Sequence, residues 1–185
     1  MSKISQLYAG RPEDGRIEKE ERCYDFLDGQ HIEFFRVDHE HADTIEECEK
    51  IEAVLGCKIC KNLLLTNRQQ TAVYLLAMPG QKPFKTKILS KQIGTARLSF
   101  ASEEQMLRCL DITPGSVSVL GLMNDKEKQV QLLIDKDLLS EEYFGCHPCI
   151  NTSSLRIKTS DIIKNIIPAT AHDIEYVELP WEFDE

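Results

Sequence analysis

The chain has 185 residues, of which 42% are hydrophobic and 29% charged, and its formal net charge is −9. This composition is typical of a globular domain that buries its own core, and it excludes a disordered chain and, since no run of 18 apolar residues occurs, a membrane-spanning one. The first residues lack the apolar stretch of a signal peptide, so we expect a cytoplasmic protein, without a membrane partner, whose seven cysteines are reduced thiols.

The first half of the chain predicts an extension, two helices and three strands. Polar residues punctuated by Gly10, Pro12 and Gly15 predict a loose N-terminal extension over residues 1–16. Hydrophobic periodicity and turn residues then predict, in order, a helix over 17–28, a strand over 32–37, a helix over 44–56, and a hairpin of strands over 59–66 and 71–78.

The second half predicts three short helices and two strands. In order, they are a helix over 85–93, a helix from 102 to about 110, strands over 129–135 and 151–158, and a helix over 160–167 that ends before Pro168. Interspersed strands and short helices indicate a single α+β domain over residues 17–167, followed by an acidic C-terminal tail over 168–185.

Two of these helix starts are predicted from capping boxes. In a capping box, a hydroxyl side chain and a carboxylate or amide three residues later satisfy each other's free backbone amides. Thr44 with Glu47 forms the first box and Ser102 with Gln105 the second. Gly56 stands where the first of these helices should end, since glycine adopts the left-handed conformation that closes a helix.

Positive charge is concentrated in one window despite the acidic total. No acidic residue lies between Ala53 and Ser102, and the eight basic residues of this window are Lys58, Lys61, Arg68, Lys82, Lys85, Lys87, Lys91 and Arg97. The window is either a solvated basic face or a surface for a polyanion such as tRNA, because a local basic field attracts phosphates whatever the total charge. On the second interpretation, we expect Lys82, Lys85 and Lys87, in a polar, turn-rich stretch, to contact substrate.

Three segments contain residue types that hold substrates or move protons. In residues 113–125, a Pro-Gly turn before small hydroxyl residues can expose backbone amides to an oxyanion or a phosphate. In residues 145–152, His147 precedes a proline and offers an acid–base group. Lys61 opens an apolar strand and must either reach solvent or point into a pocket, where it would bind phosphate or carboxylate. The alternative for each is a structural role, as an ordinary turn, a loop histidine and an exposed lysine.

Taken together, these segments resemble one family in order and spacing. The matching pieces are Arg36-Val37-Asp38-His39, Lys61-Asn62-Leu63, Leu98-Ser99-Phe100-Ala101-Ser102, Pro114-Gly115-Ser116-Val117-Ser118, Gly121-Leu122, Asn124-Asp125, and His147-Pro148 with Asn151-Thr152. Over residues 22–167 the chain is similar to the free-standing YbaK/ProX aminoacyl-tRNA deacylases, relatives of the editing insertion domain of prolyl-tRNA synthetase. The His-Pro and Asn-Thr pairs resemble most closely the branch that removes alanine from mischarged proline tRNA.

The resemblance implies a mixed, barrel-like central sheet flanked by short helices, with a pocket for the amino acid and the tRNA 3′ end. It implies a trans-editing hydrolase that cleaves the ester bond of mischarged tRNA, chiefly Ala-tRNA(Pro), with no cofactor and no metal. Its partners would be tRNA and prolyl-tRNA synthetase. The implied catalytic residues are Lys61, Asn62, Gly115, Ser116 and His147. Besides the three lysines of the basic window, the residues expected to bind substrate are Val117, Ser118, Val119, Leu120, Asn124 and Asn151.

Two departures from the family pattern affect the expected pocket. Val119-Leu120 stand where the family usually has Pro-Phe, and Ser153-Ser154-Leu155 follow Asn151-Thr152. We expect both to alter the size of the pocket and with it the amino-acid preference.

The expected chemistry follows from an activated ester as substrate. The sequence has no G-x-S-x-G elbow and no signature of a Ser-His-Asp set. We therefore expect the ester carbonyl to face backbone amides of residues 115–118, with Lys61 anchoring the 3′ nucleotide or the reacting group. The family resemblance implies that water attacks with help from the substrate's own ribose hydroxyl.

Two other interpretations remain open. Cys57 with Cys60 and Cys146 with Cys149 are C-x-x-C pairs that could bind zinc, although residues 61–145 separate them, far more than in a zinc ribbon. Core thiols and oxidative control are the alternatives for these pairs. The other interpretation is a non-catalytic tRNA- or synthetase-binding module of the same fold.

Overall fold

The chain folds into two β-sheets with helices on their outer faces and at their ends. A computed structural model describes residues 3–42 and 44–183. Its strands are β1 (Tyr8–Ala9), β2 (Phe34–Asp38), β3 (Lys61–Asn67), β4 (Val73–Met78), β5 (Leu98–Phe100), β6 (Val130–Asp135), β7 (Tyr143–Cys146), β8 (Ser153–Lys158) and β9 (Ile174–Val177). Its helices are α1 (Glu18–Gly29), α2 (Ile45–Leu55), α3 (Thr86–Gln92), α4 (Glu103–Leu110) and α5, a run of α-helical Thr159–Asp161, π-helical Ile162–Ile166 and α-helical Ile167–Ala169. Two 3-10 helices cover Val119–Asn124 and Lys136–Ser140. Within the described ranges, no helix is both long and apolar enough to cross a membrane.

The two sheets differ in their strand directions. Strands β1-β2-β8-β7 form an antiparallel sheet, and β5-β3-β4-β6-β9 form a mixed one. In the mixed sheet β4 pairs with β6, and β6 with β9, in parallel, whereas β3 pairs antiparallel with both β4 and β5. The predicted hairpin of two apolar strands is therefore confirmed as β3–β4, and the predicted α+β class with a mixed sheet is confirmed as well.

The sheets meet at one corner. Ile59, just before β3, forms a parallel bridge with Gly145 of β7, and the Cys60 amide donates to the Gly145 carbonyl at 2.9 Å. A Cβ on Gly145 would lie 2.3 Å from the Lys58 carbonyl oxygen, so only glycine allows this close approach. The barrel-like description needs correction here, because the described strands form two open sheets joined at this corner.

Three hydrophobic clusters explain the positions of the helices. The largest contains buried side chains of both sheets, such as Leu75 and Leu155, together with Tyr24 and Leu27 of α1. The other face of the mixed sheet is covered by α3 through Leu89. The outer side of the antiparallel sheet is covered by α2, whose Ile51 and Leu55 pack on Val37.

Both predicted capping boxes are confirmed. The Thr44 side chain accepts from the Glu47 amide at the start of α2, and Ser102 accepts from the Gln105 amide at the start of α4. Gly56 follows α2 with a φ of 77°, the left-handed conformation expected of a closing glycine. These elements were predictable because a capping box is decided by four consecutive residues.

The two chain ends differ from the prediction. Residues 3–16 were expected to be loose, but β1 pairs with β2, and Arg16 contacts Asp38 at 3.0 Å. The expected acidic tail over 168–185 contains β9, which adds a fifth strand beside β6, and Leu179, which is buried. Residues 1, 2, 184 and 185 lie outside the described ranges.

The last helix also continues further than expected. The sequence predicts an end before Pro168, but α5 runs on to Ala169. A π-helical turn, Ile162–Ile166, precedes the proline. The wider turn accommodates a ring that cannot donate a backbone hydrogen bond.

Candidate functional site

A histidine cluster lies where β2, β7 and β8 end side by side. The Nε2 of His39 lies 2.8 Å from the Ser154 hydroxyl, and that hydroxyl lies 3.4 Å from Nδ1 of His147. The same Nδ1 is 2.9 Å from the Ser153 carbonyl oxygen, so it carries the proton and donates to that carbonyl. A carbonyl can only accept, and this contact therefore directs Nε2 of His147, the unprotonated nitrogen, away from β8.

Both imidazoles of this cluster are held neutral by their surroundings. Burial lowers the pKa of His147 below its ordinary value of 6.5, and the nearby His39 and His41 lower it further. Burial also lowers the pKa of His39, which is only 6% exposed. Neutral imidazoles accept protons, so His147 is suited to a base or a hydrogen-bond acceptor near neutral pH.

The predicted loop over residues 115–118 adjoins this cluster through Asn151. Gly115 has a φ of 84°, and a Cβ there would lie 3.2 Å from Nδ2 of Asn151. That same Nδ2 lies 2.5 Å from Nε2 of His41. The structure therefore brings together three predicted residues, Gly115, Asn151 and His147, and adds His41 to them.

The rest of the loop is turned inward. Ser116 and Ser118 are 3% and 0% exposed, and the Ser116 amide donates to the Thr113 carbonyl at 3.1 Å. The Ser118 hydroxyl accepts from the Leu120 amide at 3.2 Å and thereby caps the first 3-10 helix. Ser118 thus shapes the loop through its side chain.

Two residues that were expected to bind substrate lie deeper than a pocket wall, and a third, half-buried residue holds a helix end. Val119 and Leu120 are fully buried in the largest hydrophobic cluster. Asn124 donates from Nδ2 to the Leu110 carbonyl at 2.9 Å and fixes the end of α4. The expectation that these three side chains touch substrate needs correction, because the core and a helix end already occupy them.

Lys61 and Asn62 begin β3 at the corner between the sheets. The Lys61 side chain is half-buried, and its Nζ donates to the Lys82 carbonyl at 2.6 Å. Burial lowers the pKa of this ammonium. Asn62 donates from Nδ2 to the Cys60 carbonyl at 3.1 Å, whereas its Oδ1 is buried without a hydrogen-bond partner in the described ranges. A buried acceptor without a donor is costly in a folded protein unless a ligand supplies the donor.

The corner brings β3 and the histidine cluster to one end of the molecule. In the parallel bridge of Ile59 with Gly145, both chains run in the same direction. Lys61 and His147 each follow two residues after this bridge, so they lie at the same end of it. The candidate site is therefore the end of this corner, with Lys61 and Asn62 on one side and His147, Asn151 and Gly115 on the other.

The lysines of the basic window separate into two kinds. Lys82 is 1% exposed and lies 2.8 Å from Asp135 and 2.9 Å from Asp137, so the prediction that it contacts tRNA is wrong. Lys85 and Lys87 are exposed at the start of α3, and Nζ of Lys85 lies 4.0 Å from the Phe183 ring centroid. Of the three lysines expected to contact substrate, Lys85 and Lys87 are therefore the ones exposed to phosphates.

The cysteine pairs form contacts that a sequence cannot reveal. All seven thiols are free, and burial raises the pKa of Cys146 and of Cys57, the latter to about 12. Cys149 lies beside Cys23 of α1, outside its own C-x-x-C pair, and raises the pKa of that thiol. In the described part of the chain, no group of three or more potential ligands could hold a metal ion.

His39, His41 and Ser154 were not predicted as site residues. His39 was part of a matching piece, but its partners Ser154 and His147 are distant in sequence. An available signal was the alternation Asp38-His39-Glu40-His41 at a strand end, where polar side chains gather without a helix or a turn to explain them.

Comparison with known proteins gives the same assignment as the sequence pattern. Residues 39–165 match the model of the aminoacyl-tRNA editing domain family. The chain is 32% identical over 153 residues to the prolyl-tRNA editing protein ProX of Acetoanaerobium sticklandii, a match covering 83% of this chain and 93% of the relative. It is 29% identical over 155 residues to prolyl-tRNA synthetase associated domain-containing protein 1 of Danio rerio, covering 83% and 82%.

A solved structure supports the fold. The chain superimposes with a TM-score of 0.65 on a crystal structure provisionally described as a trans-editing enzyme for prolyl-tRNA synthetase, covering 90% of this chain and 100% of the other at 13% identity. At this identity the similarity concerns the fold alone.

Proposed function

Because the chain belongs to the aminoacyl-tRNA editing family and is an aminoacyl-tRNA deacylase, we propose that its substrate is tRNA(Pro) mischarged with alanine. The relative from Acetoanaerobium sticklandii is named for prolyl-tRNA editing, which favours this tRNA. His147-Pro148 and Asn151-Thr152 favour alanine, since they resemble the alanine-removing branch. The reaction would take place in the cytoplasm, with prolyl-tRNA synthetase as a partner that supplies tRNA.

The observation that carries this proposal is the bridge of Ile59 with Gly145, which lies two residues before both Lys61 and His147, together with the close approach of Gly115 to Asn151. A hydrolase needs a cation or amides for the developing oxyanion, an acceptor for a proton, and a fixed position for the ester. Lys61 supplies the positive charge and the neutral His147 supplies the acceptor.

The backbone of the 115–118 loop is assigned to the oxyanion. The Ser116 amide already donates to Thr113 and Ser118 is fully buried, so the loop amides assigned to the ester oxygen are those of Gly115 and Val117. Negative charge that develops on the carbonyl oxygen would be stabilised there without reorganisation of solvent. Water attacks the carbonyl carbon while the substrate's ribose hydroxyl assists.

Asn62 is assigned to the substrate's donors. Its buried Oδ1 without a partner accepts from the α-ammonium of the amino acid or from the attacking water. In either role, the bound substrate supplies the hydrogen-bond donor that Asn62 Oδ1 lacks in the described part of the chain.

Discrimination against proline follows from size. One methylene in a hydrophobic pocket is worth only about 1–3 kcal/mol, so a small pocket rejects the larger proline by steric clash more than by lost contact. Val119 and Leu120 lie behind the loop and support its position from the core.

The test is hydrolysis of a panel of esters on one tRNA. We expect Ala-tRNA(Pro) to be cleaved well, Ser-tRNA(Pro) more slowly and Pro-tRNA(Pro) poorly. Equal rates for the alanyl and prolyl esters would contradict the proposed substrate, and no cleavage of any of the three would contradict the proposed tRNA.

A further inference from the structure

Lys82 is among the most deeply buried charged side chains that the structure describes. Its side chain and that of Asp135 are each 1% exposed, and their charged atoms lie 2.8 Å apart. Asp137 contacts the same ammonium at 2.9 Å and is itself 47% exposed. Because an isolated buried ammonium is strongly unfavourable, these two carboxylates determine where Lys82 lies.

The C-terminal segment contacts both members of the Lys82–Asp137 ion pair through Trp181. The indole Nε1 of Trp181 donates to Asp137 at 2.7 Å, and the ring centroid lies 5.1 Å from Nζ of Lys82. The ammonium and the indole hold the pKa of Asp137 below its usual range. Trp181 therefore orients the carboxylate and stacks on the cation that it pairs with.

The main chain of Lys82 contacts the candidate site. Its carbonyl accepts from Nζ of Lys61 at 2.6 Å. The preceding turn, residues 79–81, lines a cavity of about 410 Å³ that also touches Cys60 and Trp181. The turn packs closely on the backbone at Ile59, since a Cβ on Gly80 would lie 2.5 Å from the Ile59 carbonyl oxygen, and the buried ion pair anchors Lys82, the residue that follows the turn.

We propose that Lys82 is a positioning residue for Lys61: its buried pairing with Asp135 and Asp137, closed by Trp181, holds the Lys82 carbonyl where it fixes the Lys61 ammonium. The inference rests on the role of Lys61 under the proposed function. It assigns to the expected acidic tail a contribution to the site, because Trp181 completes the network.

The test separates positioning from folding. Lys82→Met alone would leave the Asp135 carboxylate buried without a cation, which destabilises proteins strongly. The test variant is therefore Lys82→Met/Asp135→Asn, since asparagine keeps an oxygen for the Asp137 amide that Asp135 now caps at 3.1 Å. Lys164→Met is the matched control for activity, because Lys164 is exposed and lies outside the basic window, whereas the 61% exposed Lys58 serves as a control for reactivity.

The first readout is kinetic. We expect single-turnover hydrolysis of Ala-tRNA(Pro) to fall roughly 10-fold in the double variant with tRNA affinity unchanged, a loss typical of one misplaced charge-assisted contact. In a Lys61→Ala background the same change should have no further effect, because coupled residues are not additive. A loss of equal size in both backgrounds would overturn the inference.

The second readout needs no catalysis. Acetylation of Lys61 by an amine-reactive ester, followed by peptide mass spectrometry, should accelerate several-fold in the double variant, while acetylation of the exposed Lys58 stays constant. Unchanged Lys61 reactivity would overturn the inference. If the wild type cleaves no ester, the proposed function fails, yet this readout still decides whether Lys82 positions Lys61.

A milder variant protects the test against a folding defect. Trp181→Phe removes the indole donor but keeps an aromatic ring at a position that is 53% exposed. We expect it to remain folded by circular dichroism and to change both readouts in the same direction by a smaller factor. Wild-type values in both would contradict the role given to Trp181 in the network.

Discussion

At the level of single residues, the corner combines side chains whose ordinary behaviour has been altered by burial. His39 and His147 are neutral, the pKa of Lys61 is lowered, and Asn62 keeps an acceptor without a partner. Altered titration and open hydrogen bonding in one place are typical of functional sites. In a purely structural position, each of these features would lower the stability of the folded protein without any benefit.

The buried histidine predicts a dependence of stability on pH. In the folded protein the pKa of His39 lies below 6.5, although Asp38 and the Glu40 carbonyl favour its charged form. As the pH falls below 6.5, the unfolded chain binds a proton that the folded chain does not, so stability is lost from 6.5 down to the folded pKa. Above 6.5 this group contributes nothing.

Urea unfolding of wild type and His39→Gln at pH 7.5 and 5.5 measures this contribution. We expect the free energy of unfolding to fall less in the variant, by up to about 1.4 kcal/mol for each pH unit crossed. The change in the free energy of unfolding between the two pH values is compared between the two proteins. The contribution of the carboxylates cancels in this comparison, because they titrate in both. The same loss in both proteins would show that His39 is protonated equally in the two states.

The residues of the site show what a sequence can and cannot reveal. Lys61, Asn62, Gly115 and His147 could be proposed from the sequence because each stands in a short recognisable pattern. Lys82 was mistaken for a surface lysine because its partners, Asp135 and Asp137, follow 53 and 55 residues later. Charge counted along the chain gives no information about such pairing.

At the level of elements, the same distinction between local and distant contacts applies. Helices α2 and α4 were predictable from capping boxes, whereas the short strands β1, β5, β7 and β9 were not. A short strand is determined by its pairing with a neighbouring strand, as β9 is by its pairing with β6, and not by its own few residues. Of these missed strands, β7 matters most for function, since it forms the corner with the start of β3.

The exposed lysines at the start of α3 predict a salt-dependent interaction with tRNA. Reversal of charge in Lys85→Glu/Lys87→Glu should weaken tRNA binding and flatten its dependence on salt, by about one unit of slope for each lost phosphate contact. The matched control is Lys126→Glu/Lys164→Glu, which changes the net charge equally at two exposed positions outside the basic window. Equal effects of the two variants would show that only total charge matters.

At the level of the whole molecule, the candidate site depends on two sheets that share a core and meet at one corner. The antiparallel sheet supplies the histidine cluster, and the mixed sheet supplies Lys61 and Asn62. Both chain ends contribute to this arrangement: β1 extends the first sheet, and the C-terminal segment places Trp181 over Lys82. The family could be identified from sequence. Which sheet or chain end supplies each residue of the candidate site could be determined only from the structure.

The central claim is that Lys61 at this corner takes part in ester hydrolysis, and Lys61→Ala tests it most directly. The following residues of β3 are apolar enough to form the sheet without the lysine, so the variant should fold as the wild type by circular dichroism. A charge-assisted contact is worth about 1.5–3 kcal/mol, so single-turnover hydrolysis of Ala-tRNA(Pro) should fall roughly 10- to 150-fold. Lys61→Arg should restore little, because its planar guanidinium cannot take the place of a compact ammonium. A folded Lys61→Ala protein with the wild-type rate would contradict the account and leave catalysis to the loop amides and His147.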